Sequence, residues 1–477
     1  MLKWIALSLI ILFVGIYFYE DKVITIENGA IIGEKRGNFY AYEGIPYADP
    51  VVGENRFEGP KPYTEKWNGT REFIKYGSPC IQWDHFPEHK IQGEEDCLTL
   101  NVYVPESVVA SKDPVPVLFY IHGGAFMFGG SFFYGPKNIM NAQNVILVTI
   151  NYRLGILGFL STEDEVLPGN FGLKDQVTAL KWVNRNIKAF NGDPDKVTIS
   201  GFSAGGASVQ LFYMSNLTDG LFQNGISFSG VALNPWVMSE NAQAKAYKVA
   251  SLVNCPTNNH KHMVECLKQK PADVLVKQAA KFQPFLYNPF TPFGVVVEKP
   301  CDTAFLTDTP KNLLVNKKIK HLPWIASVTQ DEGLYPAAEL YNKIHLKALD
   351  KNWNDLAISL LDFNGTSVNY NTKVDIAEKI RKFYLQDKKI SQETYFQLRN
   401  VSIIINLLSI LILSGLNFYF QMISDRLFNY DFITAIQLQS EVAPTYYYHF
   451  QYKSRSGLGE GMSGSTDNIG LYKQKIN

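Results

Sequence analysis

The segment VTISGFSAGGAS, residues 197–208, determines how the fold of this chain is interpreted. Its first four residues are rich in β-branched side chains and predict a short strand, whereas the residues after Ser203 predict the start of a helix. Ser203 lies between Gly201 and Gly205, and small residues at these two positions let the chain turn tightly. Such a turn exposes a serine hydroxyl beside the N–H groups of a helix N-terminus, which is typical of a nucleophile.

A glycine-rich loop follows a predicted buried strand upstream of this serine. The strand covers Val115–Ile121 and is followed by His122, Gly123, Gly124 and Ala125. Residues with little or no side chain allow backbone N–H groups to approach a substrate oxygen to hydrogen-bonding distance. The alternative interpretation is a glycine-rich turn that binds no ligand. The order of strand, loop and serine turn along the chain favours an oxyanion-binding loop.

The composition restricts both the architecture and the partners. A chain of 477 residues with no Pro/Gly/Ser-rich linker and no charge run in its interior predicts one large domain. Lys and Arg together number 45, as do Asp and Glu, so no excess of charge favours nucleic acid as a partner. The sequence shows neither a zinc-binding spacing nor a phosphate-binding loop, and we expect no metal and no organic cofactor.

The first 19 residues are an apolar run in which Lys3 is the only charge. This run predicts a signal peptide or, because no small-x-small cleavage site is evident, a signal anchor; the alternative is a buried helix. We therefore expect a protein of the secretory route that is secreted or is held at a membrane by this segment. The triplets that begin at Asn68, Asn216 and Asn364 are consistent with N-glycosylation there.

Entry into the secretory route would allow the five cysteines to pair. Cys80 and Cys97 enclose one short loop, and Cys255 and Cys266 enclose another, which leaves Cys301 over. A disulfide that closes a loop like the first stabilises the fold by roughly 3 kcal/mol in the chain-entropy model. We expect these two disulfides.

Several long segments resemble the type-B carboxylesterase and cholinesterase family of α/β-hydrolases, and most of all the secreted carboxylesterases of insects. In chain order they are EDCLTLNVYVP, YIHGGAFMFGG, NYRLGILGFLS, GNFGLKDQVTALKWVNRNIKAFNGDPDKVTISGFSAGGASV and QDEG. The resemblance implies an α/β-hydrolase domain over residues 20–477, with a mostly parallel central sheet flanked by helices. It also implies hydrolysis of small, neutral carboxylic esters through an acyl-enzyme.

The resemblance assigns roles to individual residues. The groups that it places in the active site are the nucleophile Ser203, the acid Glu332, and the oxyanion N–H groups of Gly124, Ala125 and Ala204. Asp331 is the rival for the acid because triads accept either carboxylate, and the family spacing favours Glu332.

The same resemblance implies a pocket residue and two structural ion pairs. Trp236 matches a position that lines the acyl pocket, where a large indole would favour short acyl chains; the alternative is an ordinary core tryptophan. The implied ion pairs join Arg56 to Glu95 and Arg153 to Asp175. They need no role in the chemistry.

The histidine that should complete the triad is missing from its implied position. Six of the eight histidines precede Glu332, and His345 follows it too closely for another strand to intervene. His449 lies in a predicted strand, from which its side chain cannot easily reach over the sheet edge. The segment that matches the family's Gly-x-x-His runs from Gly470 to Lys473. We therefore expect an incomplete C-terminal part and a chain that is inactive or nearly so, with Lys473 or His449 as the alternative bases.

Residues 401–421 depart from the family pattern. The run VSIIINLLSILILSGLNFYF, residues 401–420, is uncharged and long enough to cross a bilayer. Its first two residues can be encoded GTAAGT, and the pair at 420 and 421 can be encoded TTTCAG, which are the usual ends of an intron. Joining the flanks restores TYFQLRNMISDRLFNY, which predicts an amphipathic helix. The hypothesis is a retained intron; the alternatives are a transmembrane helix and a lineage-specific buried helix.

Two functions from different classes follow from these observations. The first is a carboxylic ester hydrolase that acts through a serine acyl-enzyme. The alternative is a catalytically dead, neuroligin-like adhesion or binding protein, which would suit the missing base and an N-terminal anchor. Such a protein has no need of Ser203, Glu332 and the oxyanion loop, so their presence favours the hydrolase.

Overall fold

The computed structural model describes residues 22–84, 90–142, 144–330, 332–365, 368–386, 388–391, 394 and 422–451. Several sequence predictions fall outside these residues: the leader 1–19, Asp331, the segment 401–421, and the segment from Gly470 to Lys473. Within the part of the chain that is described, no helix is both long enough and apolar enough to cross a membrane.

The strands are short, and most of them lie in the first half of the chain. In chain order they are β1 Val23–Ile26, β2 Gly29–Ile32, β3 Glu34–Arg36, β4 Phe39–Pro46, β5 Thr70–Glu72, β6 Gln82–Asp84, β7 Lys90–Gln92, β8 Thr99–Pro105, β9 Val115–Ile121, β10 Ile146–Ile150, β11 Gly192–Phe202, β12 Asn224–Phe228, β13 Trp324–Thr329 and β14 Thr445–Phe450.

A nine-stranded sheet in the order β14-β13-β12-β11-β9-β10-β8-β4-β3 forms the centre of the molecule. The strands from β14 to β10 pair in parallel, and β8, β4 and β3 extend the sheet in antiparallel pairs. Every residue of β10 is buried because helices cover both faces of a parallel sheet. The predicted mostly parallel central sheet is confirmed.

Helices occupy every connection between consecutive strands from β8 to β14. The α-helices are Glu106–Ala110, Lys137–Met140, Gly155–Phe159, Phe171–Asn186, Ala204–Phe212, Ala242–Leu252, His260–Lys268, Ala272–Lys277, Pro310–Val315, Leu334–Ala337, Lys343–Lys351, Trp353–Leu360, Tyr370–Leu385, Met422–Ser424 and Tyr430–Ser440. The last two are joined by a π-helical turn, Asp425–Asn429. An extended core of apolar side chains lies between these helices and the sheet and includes Trp182, Trp236 and Trp324, and a smaller second cluster contains Tyr103 and Tyr120.

Both predicted disulfides are present in the structure. One joins Cys80 to Cys97 and the other joins Cys255 to Cys266. Cys301 is free, as the pairing predicted, and the structure shows that it is exposed.

Both implied ion pairs are also present, and each is bidentate. In the first, Nε and Nη2 of Arg56 lie 2.6 and 2.7 Å from the carboxylate oxygens of Glu95. In the second, Nε and Nη2 of Arg153 lie 2.8 and 2.7 Å from the oxygens of Asp175. The Arg153 pair is buried, so its paired hydrogen bonds replace the water that both charges lose.

Candidate active site

Four adjacent strands of the central sheet bring the predicted site residues to one edge. The loop that begins at His122 follows β9, Ser203 follows β11, and Glu332 lies just beyond β13; Ser229 follows β12, which lies between β11 and β13. Because these strands are parallel, their carboxyl ends meet at the same edge of the sheet, which is where open α/β sheets bind ligands.

Ser203 occupies a strained turn between strand and helix. Its φ is +57° and its ψ is −121°, and its N–H donates to the carbonyl oxygen of Phe228 at 2.7 Å. A Cβ at Gly205 would lie 2.1 Å from the carbonyl oxygen of Ile121, and one at Gly230 would lie 2.0 Å from that of Ser203. The close packing of three backbone segments therefore holds the serine in this conformation, which ordinary residues rarely adopt.

The glycine-rich loop packs directly against the serine. A Cβ at Gly123 would lie 2.5 Å from the carbonyl oxygen of Phe202 and 3.0 Å from Cβ of Ser203. Gly124 and Ala125 both have positive φ, +114° and +55°. In the described residues, the N–H groups of Gly124 and Ala125 donate to no other group.

A third N–H group comes from the helix after the serine. Ala204 is the first residue of the helix Ala204–Phe212, and the first N–H groups of a helix have no intrahelical acceptor. The loop and the helix N-terminus thus provide donors suited to a negative charge beside Ser203.

Glu332 is buried, with its side chain held by two donors. Its Oε1 accepts a hydrogen bond from the Ser229 hydroxyl at 2.6 Å and another from the N–H of Thr329 at 2.7 Å. These contacts fix the direction of the carboxylate. The negative charge also contributes to the environment of Tyr447 on β14, where burial and, to a lesser degree, Glu332 raise the tyrosine pKa to about 12.

Sequence analysis missed Ser229. Its φ is +53°, and its N–H donates to the carbonyl oxygen of Ser327 on β13. The only signal in the sequence is its place directly after a strand. That signal becomes informative only once β12 is known to lie between β11 and β13.

Trp236 lies in a cluster of aromatic rings next to the glycine-rich loop. Its ring centroid is 6.5 Å from that of Phe126, the residue after Ala125, and 5.6 and 6.1 Å from those of Phe290 and Phe428. Its Nε1 donates to the carbonyl oxygen of Leu427 at 2.8 Å, in the π-helical turn. The indole is therefore both buried and adjacent to the candidate site, which is consistent with either interpretation of this residue.

No histidine is hydrogen-bonded to Ser203 in the part of the chain that the structure describes. Nδ1 of His122 donates to the carbonyl oxygen of Gly123 at 2.7 Å, and burial lowers the pKa of this imidazole to about 4. His449 lies in β14, as predicted, and is paired in register with Val328. Its Nδ1 is 2.9 Å from Nε2 of Gln451.

Comparisons with known proteins show the family of the chain. The family model described as the carboxylesterase family matches residues 20–410. The chain is 40% identical to venom carboxylesterase-6 of Apis mellifera over 98% of this chain and 82% of that protein. It is 41% identical to a carboxylic ester hydrolase of Bombus ignitus over 91% of this chain and 74% of that protein.

A solved structure shows the same fold. The crystal structure of juvenile hormone esterase from Manduca sexta, with OTFP covalently attached, superimposes with a TM-score of 0.77 at 28% identity. The match covers 93% of this chain and 81% of that one. With an α/β-hydrolase fold and these relatives, the chain belongs to the carboxylesterase family of ester hydrolases.

Proposed function

We propose that this chain reacts with small, neutral carboxylic esters through an acyl-enzyme on Ser203. The observation that carries the proposal is the strained serine packed against a loop in which, among the described residues, the N–H groups of Gly124 and Ala125 donate to no other group. Oγ of Ser203 bonds to the ester carbonyl carbon, and the carbonyl oxygen takes the negative charge. The N–H groups of Gly124, Ala125 and Ala204 stabilise that charge. As the carbonyl reforms, the bond to the alkoxy oxygen breaks, and the serine proton, transferred through water, leaves with that oxygen in the alcohol. Water then releases the acid.

Glu332 has the role of orienting a base and stabilising the positive charge that forms on it. Two observations support this assignment: the carboxylate is buried, and Ser229 and Thr329 hold it in one direction. A charge fixed in this way costs no reorganisation when the neighbouring base takes up a proton.

Proton transfer is the weak step of the proposed reaction. His122 is unsuited to it, because its Nδ1 is engaged by Gly123 and its pKa of about 4 makes it a poor proton acceptor at neutral pH. Loss of a triad member leaves roughly 10³ to 10⁴-fold catalysis over water. We therefore expect turnover of this chain near that residual level.

The acyl group is proposed to lie against Trp236. The support is the position of its ring next to Phe126, which directly follows the oxyanion loop. A wall of large, well-packed rings leaves little depth for an acyl chain. We expect acetyl and propionyl esters to react better than long-chain esters.

We also propose that the protein is secreted and glycosylated. The two disulfides support an oxidising compartment. The side chains of Asn68, Asn216 and Asn364 are all exposed, as attachment of a glycan requires.

The interpretation of residues 401–421 as a retained intron is likewise a proposal. Its support is the restored amphipathic helix, which would continue into the buried residues Met422 and Ile423. Sequencing of the transcript from source tissue tests it. A message without these codons agrees with the proposal, and a peptide from within 401–421 in the purified protein contradicts it.

Chemical rescue tests the proposed chemistry. The full chain and its Ser203→Ala variant are given 4-nitrophenyl acetate over a range of imidazole concentrations. If Ser203 is poised but lacks a base, imidazole will raise the rate in the parent chain above the rate in the variant, which measures catalysis by imidazole alone. Equal rates in the two chains at every concentration would contradict the assignment of Ser203.

A further inference from the structure

A second chain of hydrogen bonds joins a carboxylate, an imidazole and a hydroxyl outside the candidate site. Asp164 Oδ2 lies 2.5 Å from Nδ1 of His260, and Nε2 of the same ring lies 2.7 Å from Oη of Tyr247. The three residues come from a loop and from two helices, Ala242–Leu252 and His260–Lys268. None of them has a role in the carboxylesterase chemistry above.

The direction of these hydrogen bonds follows from the carboxylate. Burial alone would raise the pKa of Asp164, but hydrogen bonds from Thr162, His260 and backbone N–H groups lower it. An ionised carboxylate only accepts, so the proton between the two residues is on Nδ1 of His260. In the neutral ring Nε2 is then an acceptor, and the hydroxyl of Tyr247 donates to it.

The framework around the three residues restricts their movement. Oδ1 of Asp164 also accepts from the Thr162 hydroxyl at 2.5 Å and from the N–H of Val166 at 3.0 Å. The side chain of Asn259 caps the helix that His260 begins. The Cys255–Cys266 disulfide ties that helix to the segment after the helix that carries Tyr247.

The three groups are also accessible to a small molecule. The side chains of His260 and Asp164 are 20% and 23% exposed, and Tyr247 is partly exposed. A hydroxyl bonded to a base, which is in turn oriented by a carboxylate, is the arrangement that activates a nucleophile.

We propose that Tyr247 is a second nucleophile of this protein, which accepts one acyl group from an activated aryl ester. Oη of Tyr247 bonds to the carbonyl carbon, the bond to the aryl oxygen breaks, and the aryl oxide leaves with the electron pair. The phenolic proton moves to Nε2 of His260, and Asp164 stabilises the imidazolium. The product is an aryl ester on Tyr247, formed once per chain.

Two other tyrosines serve as controls within the same molecule. Tyr63 donates to Glu65 at 2.7 Å, and Tyr370 donates to Asp355, in each case with no imidazole between hydroxyl and carboxylate. Tyr370 is 57% exposed and thus more open to reagent than Tyr247. If exposure alone governed acylation, Tyr370 would react faster.

The test uses the full chain with Ser203→Ala, so that the predicted nucleophile of the main site does not consume the reagent. The chain is treated with 4-nitrophenyl acetate, and acetylation of the three tyrosines is followed by mass spectrometry of proteolytic peptides. Tyr247 is expected to be acetylated at least about a hundredfold faster than Tyr63 and Tyr370, which is the low end of what a positioned base contributes.

Two further variants separate activation from simple exposure. His260→Gln retains a hydrogen-bonding group beside Tyr247 but removes the base, and Asp164→Asn removes the charge that orients it. Both are expected to bring the acetylation rate of Tyr247 down to that of the control tyrosines. Tyr247 reacting no faster than Tyr370 in the parent, or unchanged in a folded His260→Gln chain, would overturn the proposal. Because Ser203 is absent from every chain tested, the outcome is independent of the proposed function.

Discussion

Two regions of this molecule each hold a hydroxyl group and a carboxylate, but they differ in what accompanies them. At the edge of the central sheet, Ser203 is strained, Glu332 is buried, and beside the serine lie the N–H groups of Gly124 and Ala125, which have no acceptor among the described residues. In the second region Tyr247 and Asp164 are joined through His260, and ordinary helices and a loop carry all three.

The difference separates two contributions to nucleophilic catalysis. The first region has the donors that stabilise an oxyanion, each of which contributes about 10² to 10³ in rate, but no described histidine is bonded to its serine. The second has the base, which contributes about 10² to 10⁴, but in the described residues the ring nitrogens of that base are bonded to side chains alone. Each region is thus expected to react slowly, for opposite reasons.

The largest effect is expected where backbone packing creates the site. In Gly205→Ala the new Cβ would lie 2.1 Å from the carbonyl oxygen of Ile121 and 2.9 Å from that of His122, and both oxygens belong to the backbone, which would have to shift. We expect a loss of more than about 4 kcal/mol in the free energy of unfolding, measured by denaturant titration.

Gly135→Ala is the matched control, because a Cβ at Gly135 would contact nothing within 4 Å. Its free energy of unfolding should change by less than about 0.5 kcal/mol. A stable, unperturbed Gly205→Ala chain would show that the turn at Ser203 is looser than described, and would remove the main contrast between the two regions.

The two regions also differ in how far the sequence predicts them. The turn at Ser203 is local: a β-branched strand, two glycines and a helix are sufficient to recognise it, and the structure has all of them. The role of Glu332 came from the family resemblance rather than from residue pattern. Ser229 was missed because its position matters only after β12 is placed between two other strands.

The second region illustrates why some sites have no signature in sequence. Asp164, Tyr247 and His260 come from three separate segments, and no fixed spacing joins their chemistry. Their contact depends on how the two helices dock on the loop. Nothing in the local pattern predicts that docking, although the Cys255–Cys266 pairing correctly indicated that the segments after the first helix are linked.

A histidine is present in the first region too, and its titration should be visible in stability. Because burial holds the pKa of His122 at about 4, the folded chain stays neutral there while the unfolded chain takes up a proton near pH 6.5. The folded chain is therefore most stable above pH 6.5, and its free energy of unfolding falls as the pH falls from 6.5 toward 4. The loss is on the order of 3 kcal/mol.

Thermal melts between pH 7 and pH 4 measure this loss. His122→Gln has no titrating group at this position, so its stability should fall less steeply over the interval. Tyr152→Phe removes the hydrogen bond to the carbonyl of residue 122 but keeps the imidazole, and it should retain the parent slope. Identical slopes in the parent and His122→Gln chains would mean that the imidazole is not buried in its neutral form.

The smallest effect is expected in the second region, at Asp164, and its pH dependence differs from that of His122. The pKa of Asp164 is lowered in the folded chain, so its contribution is present at neutral pH and is lost as the pH falls below about 4. Asp164→Asn should cost about 1 kcal/mol at pH 7, since the carboxylate is partly solvated, and this difference from the parent chain should disappear in acid. Asp355→Asn, which removes a carboxylate bonded to Tyr370 without an imidazole, should cost less. Equal costs for these two variants would indicate that His260 adds nothing to the stability that the Asp164 carboxylate contributes. The second region would then differ from the pair of Tyr370 and Asp355 only in its geometry.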